Sequence, residues 1–463
     1  PSEGHRFRLA AEGSMLREGP REAGLGDPHP GDPAMSGSRL SVRTTYLSAL
    51  GEQLAMETRA GVGMERRALD PGPFGEGTQE RIRVHVGEGS VRWGIDPELA
   101  GDWQATAVDL ASTLHHIGER HHLKGGLAVR MERLEASGRP AGGWTFEAPS
   151  IEGFQAGEGL ATRQAGSRPD VSLSSPRIGF FLQDAWQASG NLEIEAGVRV
   201  DYQGLPSSLA IRRERWFEVS GIDTAERADA RATLSPRLSF AWRSPDTPVA
   251  FRGSFGAHRG RHDLSILADV LSDTGGVRVD RYRMQGHGPP PLLPQGAPDA
   301  GGTRLSLLGP RFEAPLARVS RLGMELRAGA FTRFDMEFEH RDLRFLPTRR
   351  DLNRAPGRWG VDPLGRDIHG EPTGIGDPHI LVPGSDRRFP EFDVVTAWES
   401  TGTARWTGMT LGMEHHREGR GGVEIAYTIS RTTDSTPFEP GAAAAHGAPA
   451  MIRATPGVDG GDP

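Results

Sequence analysis

The residues of this sequence best suited to chemistry are histidines, carboxylates and arginines, and they are grouped. His115, His116, Glu119, His121 and His122 fall within one short run. Imidazole and carboxylate can ligate a transition metal. The run straddles Gly118-Glu119-Arg120, however, which reads as a tight turn, and a strand sends neighbouring side chains to opposite faces. Solvated residues at the rim of a sheet are therefore expected, and no metal ligand is assigned. His258, His262 and Asp263 open a long polar stretch. They are expected on a surface loop, a better place to meet a ligand. His415 and His416 close a strand at a short turn and read as rim residues. Asp335, Glu337 and Glu339 share a strand face with Arg333, which suits a charged wall better than acid–base catalysis. Arg212, Arg213 and Arg215, and Arg349 and Arg350 beside Asp351, are expected in loops, where bidentate contacts to an anion are available.

Several reaction classes are excluded by residue type. Cysteine is absent, so disulfides, thiolate metal sites and a cysteine nucleophile are ruled out. The single lysine, Lys124, is followed by Gly125, so no phosphate-binding G-K-[ST] loop exists. Gly37-Ser38 lacks the G-x-S-x-G frame of a nucleophile elbow, and H-E-x-x-H does not occur. No catalytic residue and no cofactor is assigned. A formal charge of −7 with no basic cluster argues against a nucleic-acid partner.

What must position these residues is a set of strands. The hydrophobic class is only 36% of 463 residues, while Gly numbers 63 and Pro 35. Helical periodicity is interrupted almost everywhere, whereas alternation is plain. In 191–202, Leu192, Ile194, Ala196, Val198, Val200 and Tyr202 oppose Glu193, Glu195, Gly197, Arg199 and Asp201. Val423, Ile425, Tyr427 and Ile429 oppose Glu424, Thr428 and Ser430, and Phe334, Met336 and Phe338 oppose the Arg333 face. Leu123, Leu127, Val129 and Met131 oppose Lys124, Arg130 and Glu132; Leu54, Met56, Val62 and Met64 oppose Glu57, Arg59 and Glu65.

The connections alternate too. Short turns are expected at 50–52, 118–120, 189–190, 244–247, 328–330 and 418–422, and long polar stretches at 15–37, 67–104, 136–176, 203–233, 259–316 and 346–397. Compact soluble domains rarely tolerate several structureless loops longer than about 15 residues. Outer-membrane barrels have short periplasmic turns, long surface loops and strands that are apolar outward and polar inward. A polar lumen also accounts for the mean hydropathy of −0.48. The fold class expected is all-β: an antiparallel transmembrane β-barrel of about thirteen strands. That odd number, a first strand near 5–14 with no short-turn partner, the opening at Pro1 without a signal peptide, and the loop-like 440–463 suggest an incomplete barrel cut from a longer protein. A secreted soluble β-sandwich or propeller is the competing architecture.

Specific residues extend this reading. Gly179-Phe-Phe-Leu-Gln-Asp-Ala-Trp186 followed by Asn191-Leu-Glu-Ile-Glu-Ala-Gly-Val-Arg-Val-Asp201 resembles a barrel hairpin of TonB-dependent outer-membrane receptors. Leu234-Ser-Pro-Arg-Leu-Ser-Phe-Ala-Trp242 with Phe251-Arg-Gly-Ser-Phe-Gly256 resembles the next hairpin. His122-Leu-Lys-Gly-Gly126, Leu322-Gly-Met-Glu-Leu326, Arg350-Asp-Leu-Asn353 and Tyr427-Thr-Ile-Ser-Arg431 follow in the order of the Oar-like branch. The resemblance implies a receptor barrel over 1–463, lacking its plug and both barrel ends, in the outer membrane of a Gram-negative-type bacterium. It also implies uptake of an unidentified scarce nutrient, driven by TonB with ExbB and ExbD through a plug and box outside this sequence. Membrane lipid and lipopolysaccharide would be its surroundings. Tyr, at four residues, is sparse for an interfacial girdle, which Phe180, Phe181, Trp186, Trp242 and Trp406 are expected to supply in part. A structural or adhesive barrel is the alternative in another class, and a barrel enzyme a remoter one.

Overall fold

The computed structural model describes residues 5–18, 34–70, 80–86, 89–94, 102–137, 143–209, 212–225, 231–284, 294, 297–309, 312–354, 358–361, 367–369, 387–417 and 421–435. Within them the alternation becomes a wall of thirteen strands, numbered β1–β13 along the chain. The first six are β1 (His5–Glu18), β2 (Ala34–Ala49), β3 (Leu54–Asp70), β4 (Asp102–Ile117), β5 (His121–Ala136) and β6 (Val171–Ser189). They are followed by β7 (Leu192–Gln203), β8 (Thr233–Arg243), β9 (Val249–Arg259), β10 (Leu316–Ala328), β11 (Thr332–Asp351), β12 (Phe392–Arg417) and β13 (Gly421–Asp434). Each strand pairs antiparallel with the next. Among the described residues β1 and β13 are paired on one side only. Among the described residues no helix is long and apolar enough to cross a membrane.

The expected turns between β2 and β3, β4 and β5, β6 and β7, β8 and β9, and β10 and β11 all lie at one rim. Most of the turn between β12 and β13, at 418–420, lies outside the described residues. The long connections gather at the other rim.

The wall inverts the exposure rule of soluble proteins. Phe180 is 53% exposed, and Leu110, Leu127, Leu182, Leu238 and Leu322 are open to the outside as well. On the opposite face Glu65, Glu132, Asp201 and Glu339 are buried, Asp201 at 7%. A continuous apolar face of this extent is far beyond the patches of a soluble monomer and fits a hydrocarbon surround.

The long connections differ from the structureless loops expected. Among the described residues they carry six further strands that extend the sheet to nineteen. Gly89–Gly94 pairs with Glu80–Val86, which runs parallel to Gly143–Ala148; then Gly159–Gly166, Thr274–Met284 and Ala300–Leu308 follow. The last of these lies parallel to the first residues of β12, with Leu305 opposite Val395 and Leu308 opposite Trp398. The described residues of these connections also hold three short helices: α1 (Ile151–Ala156), α2 (Glu214–Ser220) and α3 (Leu264–Ser272).

The packed core sits in this layer rather than in the wall. Leu264, Ile266, Leu267 and Val270 of α3 pack on Leu134, Leu173, Leu308 and Phe312. Val84, Phe146, Ala161 and Tyr282 form a second cluster, and Trp216, Leu305, Leu307, Phe392 and Val395 a third. Where β11 passes from wall to mouth, its register against β12 slips between Leu343 and Thr348, and Phe345 adopts a left-handed φ of 59°. A positive φ is costly for a bulky residue, and such positions mark places the surroundings over-determine.

Candidate functional site

The inner face of the wall is built from one repeated device. Residues two apart on a strand point the same way about 6.6 Å apart, a span an arginine can bridge. Arg59 donates to Glu57 at 2.8 Å, Arg130 to Glu132 at 2.9 Å, Arg199 to Asp201 at 2.7 Å and Arg327 to Glu325 at 2.9 Å. Other pairs run across strands: Arg177 to Asp201 at 3.3 Å, Arg252 to Glu337 at 2.9 Å and Arg333 to Glu414 at 2.7 Å. Arg252 reaches Glu337 by crossing the intervening strand over Gly323, where a Cβ would lie 2.8 Å from its Nε. Glycine thus lets the side chain lie flat on the wall. Phe181 does the same over Gly126. It faces inward beside Arg177 and Gln183, so the expectation that it joins the aromatic girdle with Phe180 is corrected.

The Gln183–Trp186 motif divides between faces. Inward, Gln183 hydrogen-bonds Glu195, whose other oxygen accepts from Ser239 at 3.4 Å. On the other face, Asp184 Oδ2 lies 2.8 Å from His121 Nδ1, and His121 stacks on Trp186 with ring centroids 6.1 Å apart. His115 and His122 approach only as rings at 5.7 Å. Among the described residues no three His, Asp or Glu side chains are grouped as a metal site. His415 Nδ1 meets Thr332 Oγ1 at 2.9 Å beside the 329–331 turn, at the rim as expected.

At the other rim the expected loop residues are drawn into structure. His262 is 8% exposed, packs on Phe312 at 5.5 Å, and its Nδ1 is buried without a partner among the described residues. Burial, with Arg259 adding to it, pushes its pKa down to about 4. Asp263 caps α3 through the Ser265 N–H at 2.8 Å. The surface-loop placement of this pair is therefore wrong: the backbone turns inward at 260–263 to bring α3 onto the core. His258 remains at the top of β9, 3.4 Å from Arg237.

The loop arginines are likewise engaged. Arg213 is half-buried and donates to the Val270 carbonyl at 3.4 Å; burial lowers its pKa. Arg212 lies 3.5 Å from the centroid of the Phe217 ring, and Arg215 pairs with Glu391 at 3.1 Å. Arg349 lies over Trp398, and Arg350 pairs with Glu399.

The Arg350–Asn353 motif closes this layer. Asn353 is fully buried; its Nδ2 donates to the carbonyls of Phe389, Phe392 and Asp393 at 2.7–3.0 Å, and its Oδ1 accepts the Phe389 N–H at 2.7 Å. Asp351 accepts the N–H groups of Asn353 and Val395 and pairs with Arg387. Beside it Arg281 and Asp393 form a buried bidentate ion pair. In the sequence this motif carries no assigned role; its signal is three polar side chains among four residues at a strand's end.

The architecture defines an outer-membrane β-barrel, and comparison with known proteins agrees. A family described as an outer membrane beta barrel domain matches residues 51–457, and the chain belongs to that family and to the outer membrane. Its fold is similar to that of the outer membrane transporter YddB from Escherichia coli, with a TM-score of 0.55 at 10% identity, over 94% of this chain and 46% of that one. It is also similar to the FrpB iron transporter of Neisseria meningitidis (F3-3 variant), with a TM-score of 0.51 at 12% identity, over 94% of this chain and 52% of the other. The chain spans about half the length of these structures. No curated protein matches the sequence.

Proposed function

We propose that this chain is the barrel portion of a TonB-dependent receptor of the Oar-like branch, which takes up a scarce nutrient across the outer membrane. The observation that carries the reading is the inner face, a wall of mutually paired arginines and carboxylates lying flat against the sheet. A barrel of about eight strands fills its interior with side chains, whereas larger barrels enclose an aqueous or plugged lumen. Thirteen strands whose inner side chains fold down rather than project suit a wide, wet lumen that another domain occupies. In this reading the plug and the rest of the wall, which would complete the pairing of β1 and β13, belong to other parts of the full-length protein. TonB, with ExbB and ExbD, would act through that plug. The apolar face meets lipid and the mouth meets lipopolysaccharide, and the chain contributes no catalytic group.

The likeness to YddB and to an iron transporter supports this reading through fold alone. The experiment is growth of the host on limiting nutrients with the gene intact or deleted, in cells with and without TonB. A growth advantage that requires both is expected. An advantage that persists without TonB, or cell adhesion with no uptake, would leave a structural or adhesive barrel.

A further inference from the structure

Three histidines at the turn rim are held in the same way. His5 Nδ1 lies 2.9 Å from Tyr46 Oη and 3.0 Å from the hydroxyl of the buried Ser48. His121 Nδ1 meets Asp184 Oδ2 at 2.8 Å, and His415 Nδ1 meets Thr332 Oγ1 at 2.9 Å. Each ring also rests against an aromatic one. His5 stacks on Tyr46 at 6.0 Å, His121 stacks on Trp186 at 6.1 Å, and His415 meets Phe331 edge-on at 6.5 Å. Strand alternation puts all three histidines on the outer face. His5 points the same way as Phe7 and Leu9, His121 as Leu123 and His415 as Leu411, all of them exposed. They therefore border the apolar band, on β1, β5 and β12. All three are exposed themselves, His121 over 53% of its side chain. In each case Nδ1 is tied to the neighbouring strand, and Nε2 has no hydrogen-bond partner among the described residues.

We propose that these three histidines grip the phosphate groups of phospholipids at the turn rim in a proton-dependent way, Nδ1 fixing each ring and Nε2–H donating to a phosphate oxygen. A carboxylate accepts and does not donate, so Asp184 keeps a proton on His121 Nδ1, and the neutral ring presents a bare Nε2. Protonation turns that atom into a donor and adds a positive charge. Charge-assisted hydrogen bonds to phosphate are the strong ones. Continuity sets the occupant: the same face of the same strands meets hydrocarbon further along, so its rim meets lipid head groups. Other charged groups stand close by. Glu119 and Arg120 occupy the turn before His121, and His116 lies on the outer face of β4 opposite Leu123. Arg417 is 5.8 Å from the Phe331 ring that His415 meets, and His5 faces the hydroxyls of Tyr46 and Ser48. The inference rests on the outer-membrane placement of the wall and not on uptake.

The test is isothermal titration of the full-length protein in maltoside micelles with dioctanoyl phosphatidylglycerol, at about pH 8 and about pH 5.5, the range over which histidine changes charge. A glucosyl diacylglycerol of the same chain length, which lacks phosphate, and inorganic phosphate are the controls. Phosphatidylglycerol should bind about tenfold more tightly at the lower pH, and the glucosyl lipid equally at both. The triple variant His5→Gln, His121→Gln, His415→Gln should lose that gain and keep the affinity seen at the higher pH. Phosphatidylglycerol binding equally at both pH values, a glucosyl lipid that gains as much, or a triple variant with the full gain overturns the proposal. Inorganic phosphate that displaces the lipid at equal concentration would reveal a site for free anions and overturn it too. Should the triple variant fail to fold, His121→Gln alone decides: a gain cut to roughly half is expected, and an unchanged gain overturns the proposal.

Discussion

Arg261 and Glu132 are 129 residues apart in sequence, and the guanidinium Nη1 of one lies 2.6 Å from the carboxylate of the other. The pair ties the entry to α3 down to the inner face of β5, where Glu132 also receives Arg130. Both side chains are largely shielded, so the contact is not the screened surface kind. Arg261→Ala and Glu132→Ala should each loosen the α3 segment, and a double-mutant cycle should give a coupling of about 1–2 kcal/mol. Protease sensitivity and hydrogen exchange across 260–272 would measure it. Additive effects would mean that the pair does not anchor the segment.

The two faces of β7 make an internal control. Val198, open to the outside at 37%, should tolerate arginine poorly, at a cost of about 2–4 kcal/mol if it lies near the bilayer midplane. Glu195→Gln on the inner face keeps partners for Gln183 and Ser239 and should be nearly neutral. Folding titrations into vesicles would compare them. Equal costs would show that the faces have been assigned wrongly.

Asn353→Ala should remove the side-chain donor to the buried carbonyls of Phe392 and Asp393 and the acceptor of the Phe389 N–H, while the Phe389 carbonyl keeps the Phe392 N–H. Unsatisfied buried backbone groups cost about 1–3 kcal/mol each before relaxation. A loss of at least roughly 2 kcal/mol is expected, felt in the mouth layer while the wall persists. Hydrogen exchange resolved by segment would show 387–395 losing protection ahead of 405–417. Uniform loss across both would contradict a local role.

His262 gives the mouth a pH dependence of known sign. Its folded pKa lies below the unfolded value, so the unfolded segment takes up a proton first as pH falls. Stability conferred by the neutral ring is complete above about pH 6.5 and is lost progressively down to about pH 4, by roughly 3 kcal/mol in all. His262→Phe keeps the contact with Phe312 and should flatten that dependence. Melting curves of both proteins between pH 7 and 4 would decide, and parallel declines would rule out His262 as the cause.

The wall was legible because its signal is local. Leu192 to Tyr202 alternate within a single strand, and turns such as Ser189-Gly190 sit between such runs, so strand number and faces follow from neighbours in sequence. The direction of burial had to be supplied by loop lengths, because alternation alone fits a sandwich equally well. The mouth was not legible because its contacts are distant. Trp216 meets Phe389 and Phe392, and Leu134 meets Leu267, through short elements that Gly and Pro separate. His262 looked exposed for the same reason: its polar neighbours in sequence are not its neighbours in space. Asn353 was visible as part of a motif, but its four partners lie 36–40 residues downstream.

β12 belongs to both layers: Phe392–Trp398 carries the parallel strand of the mouth, and the remainder of its 26 residues runs in the wall to the turn rim. An extended strand rises about 3.3 Å per residue, so this one is a rod of roughly 85 Å. Residues 392–398 pair with the mouth strand and 404–417 with β13, while β11 runs beside 396–415. Mouth and wall are therefore joined without an intervening loop: the chain passes from one to the other inside a single strand. Beside it the slipped register at Phe345 marks where β11 makes the same passage.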